Sequence, residues 1–320
     1  MFKAKTFSVW LSLCCIISLG FWSYYFLINS RESKVPGFEK PKSTVLGVKQ
    51  AHTKQFFEEK LFYQGVTQAK IELQKNPQNS LEIIKGGIVP HHLFPSFILS
   101  GFFQRLEEQN KISEIKQVII IGPNHAEEGQ NWALTSKYAW NTPFGAVEPD
   151  LENINALTEN NLIQINEPVL SLEHSIGGIT PYLKYYLPNA KITPIIVKYK
   201  ISPENLENLS QKITNLASGS DTVIISSVDF SHYLPANVAK NKDKTTLKIL
   251  QNYNYSKLLT LNNDYIDSPA SIAVLLKTME KLQTTKQNLL YHTNSGELQN
   301  DFSGQTTSYI CMSFSTSATE

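Results

Sequence analysis

Apolar residues in this chain gather in short unbroken runs rather than in strict alternation with polar ones. The runs at 87–89, 118–121, 192–197, 222–226, 289–292 and 308–314 are rich in Ile, Val and other strand formers. Short runs of this kind suit strands buried on both faces. Between them the spacing predicts helices over 94–109, 151–160, 175–186, 203–217, 236–252 and 269–282. Pro203 and Pro269 stand as first-turn prolines behind Ser202 and Ser268 caps. Strand and helix alternate along the body, which predicts an α/β fold with a helix-covered sheet.

One apolar run is of a different kind. Residues 7–28 carry no charge, and about 20 apolar residues suffice to cross a bilayer core. Lys3 and Lys5 precede the run, and Trp22, Tyr24 and Tyr25 stand near its far end like an interfacial belt. It lacks the short core and small-residue cleavage site of a signal peptide. The expectation is an uncleaved transmembrane anchor, with residues 1–6 inside and an extracytoplasmic body. A body almost free of cysteine agrees with export. Residues 29–53, with Pro36 and Pro41, read as a polar tether, and 54–320 as one domain.

Composition narrows the function classes. The chain has 320 residues, with 29 basic against 28 acidic side chains and a net charge of +1. Such a balance supplies no field for a polyanion, so no nucleic-acid partner is expected. Of three cysteines, Cys14 and Cys15 lie in the N-terminal run and only Cys311 lies in the body. That excludes a disulfide framework and a cysteine-rich zinc site there. Cys311, within an apolar run, reads as buried filler.

The candidate chemistry lies in the histidines. Pro90-His91-His92 ends the first body strand, Gly122-Pro123-Asn124-His125 the second, and Asp229-Phe230-Ser231-His232 the fourth. Ligands of open α/β sheets bind beyond the carboxyl ends of the strands. Glu173-His174 adds an imidazole at a helix start, and Asp267 a carboxylate before the last long helix. Each has a plainer use: a lone histidine in a loop hydrogen bond, Asp267 as a helix cap, Glu173 with His174 as a surface pair. Three strand ends delivering imidazoles to one edge point instead to a metal or catalytic site. Two histidines and a carboxylate on one side of a metal leave positions open for substrate and dioxygen, and a further histidine can move a proton. Spacing alone does not separate ligand from base among His91, His92, His125, His174 and His232.

In this order the motifs resemble those of the Memo family, known in bacteria and archaea as AmmeMemoRadiSam system protein B. Pro90-His91 resembles its Pro-His-Ala-Gly element and Gly122-Pro123-Asn124-His125 its Gly-Pro-Ser-His element. Thr142-Pro143-Phe144-Gly145 with Asp150, Glu173-His174-Ser175, and the segment from Ser226 to Tyr233 with Val228 inserted follow in register. Asn294-Ser295-Gly296 and Thr307-Ser308-Tyr309 close the series. The resemblance implies a single helix-covered mixed sheet similar to class III extradiol dioxygenases. It implies metal ligation by His91 and His125, with Asp267 at the third-ligand position. His232 then matches an acid/base histidine, with Asp229 and His174 in the same pocket.

Two departures bear on the metal. His92-Leu93 replaces a small Ala-Gly pair, and Asp267 stands where Memo-type proteins carry a cysteine. A carboxylate in place of a thiolate moves the site away from Cu(I) and towards Fe(II), with Zn or Mn as alternatives. The leading expectation is a membrane-anchored non-haem iron protein with redox or dioxygen-dependent chemistry on an unknown small-molecule substrate. A metal-dependent hydrolase and a non-catalytic binding module on the same fold are the alternatives. Association with radical-SAM and AMMECR-domain proteins is implied by the family name alone.

Overall fold

A computed structural model describes residues 50–54, 56–75, 82–219 and 221–317, all within one compact unit, Ser43–Glu320. The chain begins with β1 (Ala51–His52), α1 (Glu59–Lys75), β2 (Glu82–Val89), α2 (Ser96–Asn110) and β3 (Gln117–Pro123). Short strands β4 (Ala133–Thr135), β5 (Ala139–Thr142), β6 (Gly145–Val147) and β7 (Gln164–Ile165) follow, with α3 (Leu151–Thr158) between the last two. Then come α4 (Glu167–Leu172), α5 (His174–Gly177), α6 (Thr180–Tyr186), β8 (Lys191–Val197), α7 (Pro203–Leu216), β9 (Thr222–Ser227) and β10 (His232–Leu234). The last third holds α8 (Ala236–Gln251), α9 (Tyr255–Leu258), α10 (Pro269–Lys281), β11 (Lys286–Asn294), α11 (Ser295–Gln299) and β12 (Thr306–Ser317).

The main sheet has the order β10-β12-β2-β9-β3-β8-β4-β7, with β11 on the other side of β12. Its centre, β2-β9-β3-β8, is parallel, while β12 and β4 pair antiparallel at either flank. The sheet is therefore mixed and covered by helices. β3 shows why unbroken isoleucines make a central strand. Val118 and Ile120 enter one apolar cluster with Phe102, Phe103 and Tyr182. Ile119 and Ile121 enter the other with Leu209, Ile213 and Ile272. Full burial of such side chains is worth about 1.5–3 kcal/mol each, and period-two alternation serves both faces at once.

The long runs fall where the apolar pattern puts strands and helices, with differences that have physical causes. The helix expected over 175–186 is split into α5 and α6. Pro181 lacks an N–H for a continuous helix, and Gly178 packs so closely that a Cβ would lie 3.0 Å from the His174 carbonyl and 3.1 Å from that of His91. α1 was not expected, although Phe62, Gly65, Val66 and Ala69 form its buried face at helical spacing. β4 to β7 and β10 are too short to show any periodicity. Ala51–His52, at the end of the stretch read as a tether, pairs with Ala139 and Trp140.

The membrane reading is corrected. Among the described residues no helix is long and apolar enough to cross a membrane. The anchor expected at 7–28 lies outside the described residues, and no described helix supports membrane attachment or an extracytoplasmic body.

Candidate metal centre

Loops at the carboxyl ends of β2, β3 and β9 supply the site, as expected for a sheet with a parallel centre. His91 follows β2, His125 follows β3, and His174 opens α5. One ligand atom of each lies within 4.8 Å of the others. The His125 and His174 rings stack at 4.2 Å, and the His91 ring stands edge-on to both, at 5.1 Å and 4.9 Å. Gly122 permits the approach of α5 to the end of β3, because a Cβ there would sit 2.3 Å from Ser175 Oγ and 2.8 Å from its Cβ.

The rings of His91 and His125 are each oriented by their second nitrogen. His91 Nδ1 lies 3.3 Å from the Ser227 carbonyl. His125 Nδ1 lies 2.8 Å from Glu173 Oε1, and Glu173 Oε2 accepts the His125 backbone N–H. These contacts leave Nε2 of both rings directed at Asp267 Oδ2, at 3.4 Å from His91 and 3.8 Å from His125. A metal-binding histidine is commonly held in this way, by a carboxylate or carbonyl on its other nitrogen. A surface pair with His174 is the plainer alternative for Glu173, but it is 5% exposed and also accepts the Ser175 N–H. The signal for its role was its place directly before His174 at a helix start.

Asp267 does not cap its helix. Ser268 does, accepting the Ser271 N–H, which leaves Asp267 Oδ2 to accept the Asp229 N–H at 3.2 Å. Asp267 Oδ1 is buried without a hydrogen-bond partner. Asp229, 1% exposed, accepts the His91 N–H through Oδ1 and places Oδ2 3.3 Å from Nδ1 of the exposed His92. His232 stands apart from the three clustered imidazoles, on the wall of an adjoining cleft of about 540 Å³ that His125 and Asp267 also line. Its Nδ1 is buried and unpartnered.

The electrostatics favour a cation. Burial works against a charge on His125, but Asp267 and Glu173 outweigh it and raise its pKa to about 10. Burial likewise opposes ionisation of Glu173, yet its contacts with His125 hold it at about 2. Burial and then repulsion from His91 and His125 push His174 down to about 4. Burial disfavours charge on Asp229 too, but His91 and His92 hold it well below the usual carboxylate range. Three imidazoles and the Asp267 carboxylate, whose Oδ1 has no partner, with Glu173 and Asp229 buried beside them, are a donor set that fits a divalent cation.

The other motif residues are structural. Thr142 Oγ1 donates to the Gly145 carbonyl, and Gly145 takes φ 113° in that turn, a conformation suited to glycine. Asp150 caps α3 through the Asn153 N–H. Cys311 is buried and its thiol is pushed up to about 12.

A profile of the Memo-like protein family matches residues 61–313. A MEMO1 family protein of Metallosphaera sedula is 27% identical over 236 residues, covering 71% of this chain and 82% of its own length. That of Aquifex aeolicus is 28% identical over 234 residues, covering 72% and 85%. Among solved structures, uncharacterized protein JW3007 from Escherichia coli K12 aligns with a TM-score of 0.45 at 8% identity, over 71% of this chain and 99% of that one. Because the matched stretch runs from the first helix into the last strand and includes every clustered histidine and carboxylate, this chain belongs to the Memo-like protein family.

Proposed function

We propose that this protein holds one divalent cation, iron(II) by preference with zinc or manganese able to replace it, and performs dioxygen-dependent or redox chemistry on a small molecule. The observation that carries this reading is the convergence of His91, His125 and His174 within 4.8 Å, with Asp267 Oδ2 beside Nε2 of the first two. His91, His125 and Asp267 are the primary donors, and His174 lends a third imidazole. Two imidazoles and a carboxylate with open positions suit non-haem iron(II). The metal, when bound, supplies Lewis acidity and redox capacity.

The chain's own residues do the rest. Glu173 and the Ser227 carbonyl fix the tautomers of His125 and His91. Asp229 stays ionised and holds the turn after β2 through the His91 N–H. His232, on the cleft wall, transfers the proton. A hydrolytic reading is favoured by the imidazole count, since three histidines also make a catalytic zinc site that activates water. In that case His232 or Asp229 acts as base.

The test is the metal content of protein prepared without oxygen, for wild type, Asp267→Ala and His174→Ala, followed by dioxygen consumption. Near-stoichiometric iron that falls away in Asp267→Ala supports the first reading. Zinc with no dioxygen uptake supports hydrolysis. Equal metal in all three proteins overturns the assignment of the centre.

A further inference from the structure

The cleft beside the histidine cluster has a chemical character of its own. It is lined by the carboxylates of Glu127, Asp264 and Asp267, by Tyr233, and by asparagines including Asn124. Among the described residues that line it there is no lysine or arginine. Lys242 lies 3.0 Å from Asp264 Oδ2, but that carboxylate is 48% exposed, and an exposed pair of this kind neutralises little. Glu127 uses Oε1 to accept the Tyr199 N–H, which fixes its position without removing its charge.

A second observation is independent of the acids. Asn124 is 2% exposed, and its Nδ2 donates to the Glu128 carbonyl at 2.7 Å. That bond identifies Oδ1 as an acceptor, and Oδ1 is buried with no partner. Asp267 Oδ1, on the same cleft, is likewise an acceptor without a donor. Two acceptors among the lining residues are thus left without a donor, which is costly for buried polar atoms. Glu127 and Tyr233 are also held at φ 53° and 59°, a strained conformation for side chains of this size. Tyr233 is 68% exposed, with its ring centroid 5.7 Å from that of His232.

We propose that this cleft binds a small organic cation, a primary or substituted amine whose ammonium group is held by Glu127, Asp264 and the face of Tyr233. The proposal rests on the reading of the neighbouring cluster as the reaction centre, and names the class of molecule presented to it. An ammonium group answers both features of the wall: it pairs with carboxylates and brings donors. It also gains from an aromatic face. A carboxylated or phosphorylated ligand would meet these acids and acceptors, with the imidazoles of His125 and His232 as the basic side chains among the described lining residues.

The test uses three phenols of one size that differ in charge: tyramine, 4-ethylphenol and 4-hydroxyphenylacetate. Each is titrated calorimetrically into the full-length protein loaded with zinc, which is redox-inert, and again into metal-free protein. Tyramine should bind more tightly than 4-hydroxyphenylacetate by about tenfold, the combined size of one exposed ion pair and one exposed cation–π contact, with 4-ethylphenol between them. The Glu127→Gln/Asp264→Asn variant keeps acceptors for the Tyr199 N–H and for Lys242, so it should fold, keep its metal and lose the order. Glu127→Gln alone should lose part of it. Equal or tighter binding of 4-hydroxyphenylacetate, no binding of tyramine, or an order that survives in the double variant would each overturn the proposal. Metal content on the same samples separates the two readings. A wild type that takes up no metal sinks the metal centre, while the order in metal-free protein still decides the cleft.

Discussion

Two kinds of buried histidine–carboxylate group coexist in this fold. In a separate three-stranded sheet of order β1-β5-β6, His52 is 3% exposed and lies against the rings of Tyr138 and Trp140. Its Nε2 is 2.7 Å from Ser136 Oγ and 3.3 Å from Glu167 Oε2, while Glu167 also accepts the Ser136 hydroxyl and the Lys137 N–H. His292 is similar: its Nε2 is 3.0 Å from Asp243, whose other oxygen accepts the Ser231 hydroxyl. These groups are closed, each carboxylate meeting an imidazole and a hydroxyl. At the ends of β2 and β3 the residue types are the same, but three imidazoles face one another and Asp267 Oδ1 has no donor. Closed polar groups pin a fold, and one with unused acceptors and crowded imidazoles is arranged for something added.

Removing residues from each kind should separate them. His125→Ala and Asp267→Ala should reduce bound metal to background, measured by elemental analysis of anaerobic protein. His52→Ala should leave metal content unchanged and lower stability by about 1–3 kcal/mol for the polar groups it strands, read by urea denaturation. If both losses look alike, the contrast between the groups is wrong.

Glu173→Gln tests the open group one layer out. It removes the charge that holds His125 and should weaken metal binding about 10–100-fold, measured by chelator competition. The equivalent change at Glu167 should not alter metal affinity.

Acidity sharpens the comparison further. In metal-free protein His125 titrates at about 10, above its ordinary value near 6.5. Its contribution to stability is therefore complete below pH 6.5 and is lost as pH rises through about 10. A metal must displace that proton, so apparent affinity should rise by about tenfold per pH unit below about pH 10. Glu173 runs the other way: its contribution is present above about pH 4.5 and lost as pH falls towards 2. Chelator competition at pH 6, 7 and 8 checks the first slope, and a flat profile would remove His125 from the ligand set.

Gly122→Ala probes the packing that brings the rings together. The added Cβ meets Ser175 at 2.3 Å, which should cost about 1–3 kcal/mol and lower metal affinity by separating His125 from His174. Adding Ser175→Gly should recover part of the stability. The smallest effect belongs to His92→Ala: its side chain is 53% exposed, so stability should change by less than about 1 kcal/mol, with metal retained.

The histidine pattern located the edge of the site but not its membership. Pro90-His91 and Pro123-Asn124-His125 were legible because proline turns mark where buried strands end. His91 and His92 were not distinguishable, since consecutive side chains of an extended segment point to opposite sides; one is buried and its neighbour is not. Ser268 reads as the cap from the sequence and accepts the Ser271 N–H, but only the structure shows Asp267 turned towards His91 and His125. His174 was placed in the pocket, yet its stacking on His125 depends on a glycine 52 residues earlier in the chain. The burial of Glu173 is not legible along the chain, because it meets the His125 backbone N–H after β3, 48 positions away.

What this sequence determined by itself is where the central strands and the long helices after β2 lie, α1 excepted. An unbroken apolar run must be buried on both faces wherever it sits, and that constraint is local. Only the tertiary structure decided which polar residues meet. His125 reaches Glu173 across 48 positions and His91 reaches Asp229 across 138. Contacts over such separations follow from the strand order β2-β9-β3-β8, which the crossovers and the close approach at Gly122 set, and no run of residues along the chain encodes them.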